Sequence, residues 1–435
     1  MAGELSFNEI ANLGKERVAE KAQFTGETKY PLASHFFSKK KKPLDEQGFR
    51  MPIITRRPGG HHLYGQSSTD FRTPVALDSD SMRVYPVWYE IGQKFTGATL
   101  RALRAGKETQ LLQYRDAIGL LTDSAKKRLN YYFHGDASAV LSVCSNAAIN
   151  GTGSKTFTPQ TLASSATGES ETKGCVRLEK GHTYALIDTD GVTVNAVFEV
   201  TVPGRTSCTV NVTTSNATSA SGDFVVDLGI SASTHSFRKA PQGLRSLCAA
   251  SGILQNFDRA NDANVKTPRV NANDLPITPY VFANAKTLVN IAANDQNEAM
   301  GRLIVMTPGQ ETMLRIQQFG YRQYNGNETV KGVAGKYVDA DGDSYIFDAD
   351  GAEDRIYILD GNSFYLGEEK KFGIFDEDGM DLRMLAGASS VGSDGFFLAI
   401  GWGGNLIKDV SEGRAQSDAF IDRLSQTDVQ QQISL

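Results

Sequence analysis

The sequence predicts an α+β fold built from more than one packing unit, and three observations carry that prediction. One stretch, from about Ala105 to His134, has the three- and four-residue spacing of a long amphipathic helix. Most other apolar residues fall in short β-prone runs separated by Gly and Asp-Gly turns. Two segments near the N-terminus, 1–47 and 48–95, lack the apolar content to fold by themselves. A chain of 435 residues also exceeds the size at which one hydrophobic core keeps growing. Its 42 Gly, 15 Tyr and 22 Phe beside 2 Trp suit turn-rich β-structure.

Residues 1–47 read as an arm, with a short helix possible over Glu16–Lys21 and a self-repelling run, Lys39-Lys-Lys-Lys-Pro43. The expectation for that run is a solvated or partner-bound arm, not an import signal. In 48–95, a turn-rich tip (Arg56-Arg-Pro-Gly-Gly-His-His62) precedes the β-prone run Met82–Ile91, so the segment reads as a long ribbon resting on a neighbour. The helix that follows presents Leu111, Tyr114, Ile118, Leu121, Ala125, Leu129 and Tyr132 on one face, with Arg115, Lys126 and Lys127 off the stripe. At 1.5 Å per residue it would run about 40–45 Å, enough to form the backbone of a domain.

Residues 174–230 form a separate β-module: Tyr184–Ile187, a turn at Asp190-Gly191, Val192–Val202, Thr209–Thr213 and Phe224–Val226. From 235 to 335 the pattern returns to α/β. Thr278 and Pro279 are N-cap and first residue of a helix burying Val281, Phe282, Ala285, Leu288, Val289 and Ala292. Arg302–Met306 is a buried strand, and Thr307-Pro-Gly-Gln310 a capping box opening a second helix that ends at Gly320. Strands are expected at Ser344–Phe347, Arg355–Leu359, Ser363–Leu366, Leu382–Leu385 and Gly395–Ile400, then a short polar helix at Asp418–Leu424 and a Gln-rich tail.

Charge and motifs exclude more than they assign. The net charge of -5 argues against a general nucleic-acid binder. It divides unevenly: residues 1–60 hold 11 basic against 7 acidic side chains, residues 336–435 hold 8 against 20, and such ends can attract neighbouring copies. The first residues do not read as a signal peptide, and no run approaches the ~18 apolar residues of a membrane span. Cys144, Cys175, Cys208 and Cys248 lack CxxC spacing and read as reduced thiols. Asn150-Gly-Thr-Gly-Ser-Lys-Thr156 mimics a phosphate loop but interposes Ser154 between Gly153 and Lys155. His61-His62 point to opposite faces of a strand and have no third ligand nearby. Asp339, Asp341, Asp343, Asp348 and Asp350 invite a calcium reading, but Ser344 stands where an EF-hand needs Gly, so hairpin turns are expected. No Ser-His-Asp set or GxSxG elbow can be assembled. The residues therefore nominate no catalytic, cofactor-binding or metal-binding side chain.

Three strings carry a resemblance: Lys126-Lys-Arg-Leu-Asn-Tyr-Tyr-Phe-His-Gly-Asp136, Arg302-Leu-Ile-Val-Met-Thr-Pro-Gly-Gln310 and Ile356-Tyr-Ile-Leu-Asp-Gly-Asn-Ser-Phe-Tyr365. They resemble the end of the spine helix, the strand-to-helix step and the following strand pair of tailed-phage major capsid proteins of the Hong Kong 97 type. The resemblance implies an N-terminal arm (1–47), an extended β-loop (48–95), a spine helix and peripheral domain (96–140), a β-rich insertion domain (174–230), an axial domain with peripheral return strands (235–390) and C-terminal strands with a tail (391–435). It further implies a shell subunit without an active site or cofactor, forming pentamers and hexamers with itself. Its partners would be scaffolding, portal and decoration or cement proteins, and packaged double-stranded DNA held without sequence-specific binding, with no membrane. The location would be the virion, after assembly in the host cytoplasm. A nanocompartment shell and a calcium-dependent β-rich surface or carbohydrate-binding protein are the alternatives.

Overall fold

The computed structural model describes residues 17–18, 29–39, 41–56, 78–95, 97–105, 108–145, 149–160, 174–204, 207–217, 219–229, 235–261, 265–273, 275–293, 302–319, 343–361, 363–374, 383–384, 396–410 and 418–424. The chain divides into two compact units: 1–133 with 247–435, and 134–246, which lies in sequence between the two pieces of the first.

The first unit holds two larger sheets. In one, β1 (Lys41–Pro43) runs parallel to β17 (Phe364–Ile374), which pairs antiparallel with the 13-residue β19 (Phe396–Lys408). β4 (Val87–Phe95) lines β19 from Phe396 to Gly404, and β18 (Arg383–Met384) pairs at its start. α1 is Pro31–Ser38, α2 is Gly97–Arg104 and α3 is the 27-residue Glu108–His134. Tyr114, Ile118 and Leu121 of α3 bury against Phe95, Leu103, Leu398 and Ile400, and Phe133 meets Trp402 edge-on at 5.8 Å. The stripe read from the sequence is thus the buried one. It is also wider than expected: Lys126, read as lying off the stripe, is fully buried, as are Thr122 and Asn130.

Glycine lets these strands approach. A Cβ on Gly403 would lie 2.8 Å from the Trp88 ring, and one on Gly404 would lie 2.3 Å from the Gly367 carbonyl. Both are closer than carbon atoms tolerate, so the glycines of β19 serve packing.

The second sheet has the order β13-β20-β16-β14-β15. β13 (Arg269–Asn271) is parallel to β20 (Ala419–Asp422), β16 (Ile356–Asp360) is antiparallel to β20 and to β14 (Arg302–Met306), and β14 is parallel to β15 (Ser344–Phe347). Helices Pro279–Ala293 and Pro308–Phe319 follow the sequence reading; Phe282, Ala285, Val289 and Leu314 join Ile304, Ile358 and Ile421 in its core. The capping box is reciprocal: Gln310 N–H donates to Thr307 Oγ1 (3.3 Å) and Thr307 N–H to Gln310 Oε1 (2.8 Å). One assignment is corrected. Asp418–Leu424 is no polar helix, because Ala419–Asp422 is the fully buried strand β20, held between β13 and β16.

The second unit is a six-stranded antiparallel sheet, order β5-β10-β7-β8-β9-β6. Its strands are β5 (Ser142–Val143), β6 (Gly153–Phe157), β7 (Thr183–Ile187), β8 (Val194–Val202), β9 (Cys208–Ser215) and β10 (Phe224–Asp227). The two ends also meet. Cys144 bridges Pro159 antiparallel, Ser145 N–H donates to Thr158 O (3.0 Å) and Gln160 N–H to Val143 O (2.8 Å), so the sheet closes into a small barrel. Alternate side chains, including Tyr184, Phe157 and Phe198, stack together on one face. Val143, Ala185, Ile187, Val197 and Val226 form a second cluster, with Phe237 and Phe224 packed against it. Gly191, at φ +72°, turns the β7–β8 hairpin where a Cβ would meet Phe237 at 2.2 Å.

Candidate assembly surfaces and their anchors

The sequence leaves the lysine run 39–42 without a reason to be ordered, and the structure supplies one. Pro31 opens α1, and Leu32, Ala33 and Phe36 are wholly buried. Phe37 packs edge-on against Trp402 at 5.6 Å. Three of these lysines then find partners: Lys41 Nζ lies 2.9 Å from Glu368 and Lys39 Nζ donates to Gly361 O, both in the acidic C-terminal third, while Lys42 Nζ sits 3.9 Å over the Tyr365 ring and 4.9 Å over Phe49. Residues 31–39 and 41–43 are therefore docked on their own chain, where a solvated or partner-bound arm was expected. Arg17 and Val18 are helical; the rest of the expected Glu16–Lys21 helix lies outside the described residues.

The ribbon is anchored too. β2 (Phe49–Arg56) and β3 (Asp78–Val84) pair antiparallel. Met51, Ile53, Met82 and Val84 are buried on one face. Arg83 N–H donates to Gln255 O (3.1 Å), and Asn256 Nδ2 to Arg83 O (3.4 Å), tying the ribbon's base to the Ile253–Asp258 hairpin of the same chain. Residues 87–95, read as part of the ribbon, instead belong to β4 inside the sheet with β19. The tip, with His61 and His62, lies outside the described residues.

Apolar side chains remain at the surface beside these anchors. Tyr85 and Trp88 are 43% and 51% exposed at the β3–β4 corner, Leu112 and Leu120 are 54% and 72% exposed on α3, and Tyr280 is 79% exposed at the start of its helix. Single exposed apolar residues are ordinary in any protein. Here Tyr85 and Trp88 stand beside the ribbon base that Gln255 and Asn256 tie down.

Two buried polar clusters fix the elements, and the sequence reading found neither. Asn130 of α3 accepts from Ala33 N–H (2.9 Å) and donates to Asp348 Oδ2 and Asp350 Oδ2 (both 2.9 Å), joining three segments. Lys408 and Asp418, both fully buried, pair at 2.9 Å where the two sheets of the first unit meet. Lys408 Nζ donates to Thr267 Oγ1 (2.9 Å); Asp418 Oδ1 accepts from Asp360 N–H (2.7 Å) and Ser363 Oγ (3.2 Å). Burial pushes the Asp418 carboxyl above its ordinary range, against the attraction of Lys408. The nearby Cys248 thiol is pushed up to about 12 by burial.

The candidate metal and phosphate residues are engaged elsewhere. Asp343 pairs with Lys286 at 2.6 Å and accepts from Arg302 N–H, and Asp348 accepts from Asp350 N–H. Asp339 and Asp341 lie outside the described residues. Asp190 accepts from Val192 N–H and from the N–H and hydroxyl of Thr193, hydrogen bonds that hold its carboxyl below the usual range in a plain turn. Gly153–Thr156 is strand β6, paired with β9 and not wrapped around a phosphate. Among the described residues no group of three or more His, Cys, Asp or Glu could hold a metal. No described helix is long and apolar enough to cross a membrane.

No family model and no curated protein matches the chain. Solved structures do. The fold is similar to the "Cyanophage A-1(L) capsid asymmetric unit", with TM-score 0.52 at 9% identity over 92% of this chain and 94% of that one. Weaker likenesses are to the "Capsid of native GTA particle" (TM-score 0.44, 9% identity, 92% and 91% coverage) and to Mycobacterium phage Bobi (TM-score 0.40, 11% identity, 97% and 99% coverage). The chain has the mixed α+β fold of a phage capsid protein.

Proposed function

We propose that this chain is the self-assembling subunit of the icosahedral head of a tailed bacteriophage or phage-like particle, a structural protein with no active site. The observation that carries the reading is the fold likeness to a cyanophage capsid, which spans nearly the whole of both chains. In the Hong Kong 97 description, the sheet of β1, β4, β17 and β19 with α3 would be the peripheral domain, the β13–β20 sheet with its two helices the axial domain, and residues 174–230, within the 134–246 unit, the β-rich insertion domain.

The mechanism is interfacial. Neighbouring copies meet the β3–β4 corner with Tyr85 and Trp88 and the exposed side of α3 with Leu112 and Leu120. Each contact is weak, and closure into pentamers and hexamers multiplies them. A net charge of -5 suits a wall whose double-stranded DNA must pack and leave without adhering. Scaffolding, portal and cement proteins are the further partners of such a shell, which assembles in the host cytoplasm and ends in the virion.

Sedimentation velocity and negative-stain imaging of the expressed chain test this. Shells, capsomers or curved sheets are the expected species. A chain that stays monomeric at 47.2 kDa even with its scaffold supplied refutes it. Leu120→Asp is expected to abolish assembly while the folded monomer persists, because a charge buried in a copy-to-copy contact costs several kcal/mol.

A further inference from the structure

Asn150 stands just before β6 and is followed by Gly151, one of two Asn-Gly pairs in the chain. The other, Asn325-Gly326, lies outside the described residues. The two ends of the Asn150 amide have different surroundings. Its Oδ1 accepts from the Ser219 backbone N–H (2.7 Å) and from the Ser219 hydroxyl (3.0 Å). A backbone N–H can only donate, so this contact fixes which end of the amide is oxygen. The Nδ2 end has no hydrogen-bond partner among the described residues. Ser219 is 1% exposed, so both donors are set in the packed part of the unit.

The backbone that follows is arranged for the same reaction. Gly151 has φ +73°, in the left-handed region that glycine enters without strain. Its N–H donates to Ser215 Oγ (3.2 Å), at the end of β9. A Cβ on Gly151 would meet nothing within 4 Å, and the residue is exposed, so water reaches the bend. Only ψ and χ1 of Asn150 separate the Gly151 nitrogen from the Asn150 Cγ, so covalent geometry alone makes the two atoms neighbours. Three features converge on that carbon: a nitrogen with an acceptor for its proton, two donors on the oxygen, and an amine that nothing holds.

We propose that Asn150 is a self-modification site, converted to aspartate and isoaspartate by its own loop. The Gly151 nitrogen attacks the Asn150 Cγ and forms an N–C bond, while its proton passes through the Ser215 hydroxyl to water. Negative charge gathers on Oδ1 in the tetrahedral intermediate, and the two Ser219 donors bind it more strongly than the neutral carbonyl. The Cγ–Nδ2 bond then breaks, and the nitrogen takes a proton from water and leaves as ammonia, which gives a five-membered succinimide. One water opens that ring at either carbonyl, to aspartate or to isoaspartate. The balance is one water consumed and one ammonia released, with nothing oxidised or reduced. Aspartate keeps the Ser219 contacts as charge-assisted bonds and adds one negative charge to a chain whose net charge is -5. Isoaspartate inserts one methylene into the backbone at the entry to β6. The proposal stands on the second unit alone and does not depend on the shell reading.

The test uses the full chain, held folded at neutral pH and, in parallel, unfolded in guanidinium at the same pH and temperature. Peptide mapping follows the amide-to-acid mass change at Asn150, and enzymatic methylation counts isoaspartate. Asn325-Gly326 in the unfolded chain gives the rate of the dipeptide by itself. The expected result is faster conversion of Asn150 in the folded chain than in the unfolded one. Ser219→Ala is expected to slow the folded chain roughly tenfold, the effect of one hydrogen bond to a charged oxygen, and to leave the unfolded rate unchanged. Asn150→Gln, which would have to close a six-membered ring, should stay unmodified. Hydrogen exchange at β6 and β9 checks that Ser219→Ala keeps the fold, and if it does not, the folded-to-unfolded comparison of the wild type decides alone. Slower conversion in the folded wild type than in the unfolded chain overturns the proposal. So does faster conversion in a folded Ser219→Ala chain, because the Ser219 bonds would then only hold the side chain still.

Discussion

Replacing Lys408 by Met removes the cation of the buried pair and keeps most of its volume. Asp418 then retains the Asp360 N–H and Ser363 hydroxyl but loses its counter-charge in a site closed to water. Breaking one side of such a pair costs about 3–5 kcal/mol, while replacing both sides with apolar residues is close to neutral or stabilising. Two units make global unfolding a poor measure, so the assay is native-state hydrogen exchange of peptides spanning β16 and β20. Lys408→Met is expected to accelerate exchange there by roughly two to three and a half orders of magnitude, and Lys408→Met with Asp418→Leu to recover most of it. The loss has a pH signature. A carboxyl whose folded pKa is raised contributes stability that is present below its unfolded value and fades as pH rises through the folded one. The single variant is therefore least damaged near pH 4 and worse toward neutrality. A single variant exchanging within threefold of wild type, or a double variant as unstable as both singles combined, refutes the reasoning.

Asn130→Ala removes three hydrogen bonds, two of them to carboxylates, and strands the Ala33 N–H. The expected cost is about 2–4 kcal/mol, read as faster exchange in α1 and in the turn at 348–350 together. Asn130→Asp should cost more, since it sets three carboxylates together. His35 is lowered to about 4, first by burial and then by Lys39, so it is neutral in the fold. Its contribution is full above the unfolded value of 6.5 and is lost as pH falls from there through about 4. Release of α1, followed by exchange or by proteolysis near residue 39, should therefore rise with acid, and His35→Leu should flatten that profile.

What the sequence disclosed was local. Thr307 and Gln310 announce a helix start three residues apart, and the α3 stripe repeats often enough to show its period. β20 was misread because Ala-Phe-Ile-Asp is too short for any period, and its neighbours, β13 and β16, come from distant sequence. The lysine run looked solvated because Glu368 and Tyr365 lie more than three hundred residues away. Lys408, Asp418 and Asn130 carried no signal at all. Each is a polar residue in an apolar setting, and only the assembled fold says what it meets.

The bridge between Cys144 and Pro159 has a consequence for crowding. An open six-stranded sheet would expose two rows of unpaired N–H and C=O groups, each a template on which another chain can add a strand. The bridge and its two flanking hydrogen bonds cover part of those rows, at Val143–Ser145 and Thr158–Gln160. The fewer such groups a β-unit leaves open, the closer many copies can sit without fusing through their sheets, and the more their contacts are left to side chains, where they can be specific and reversible.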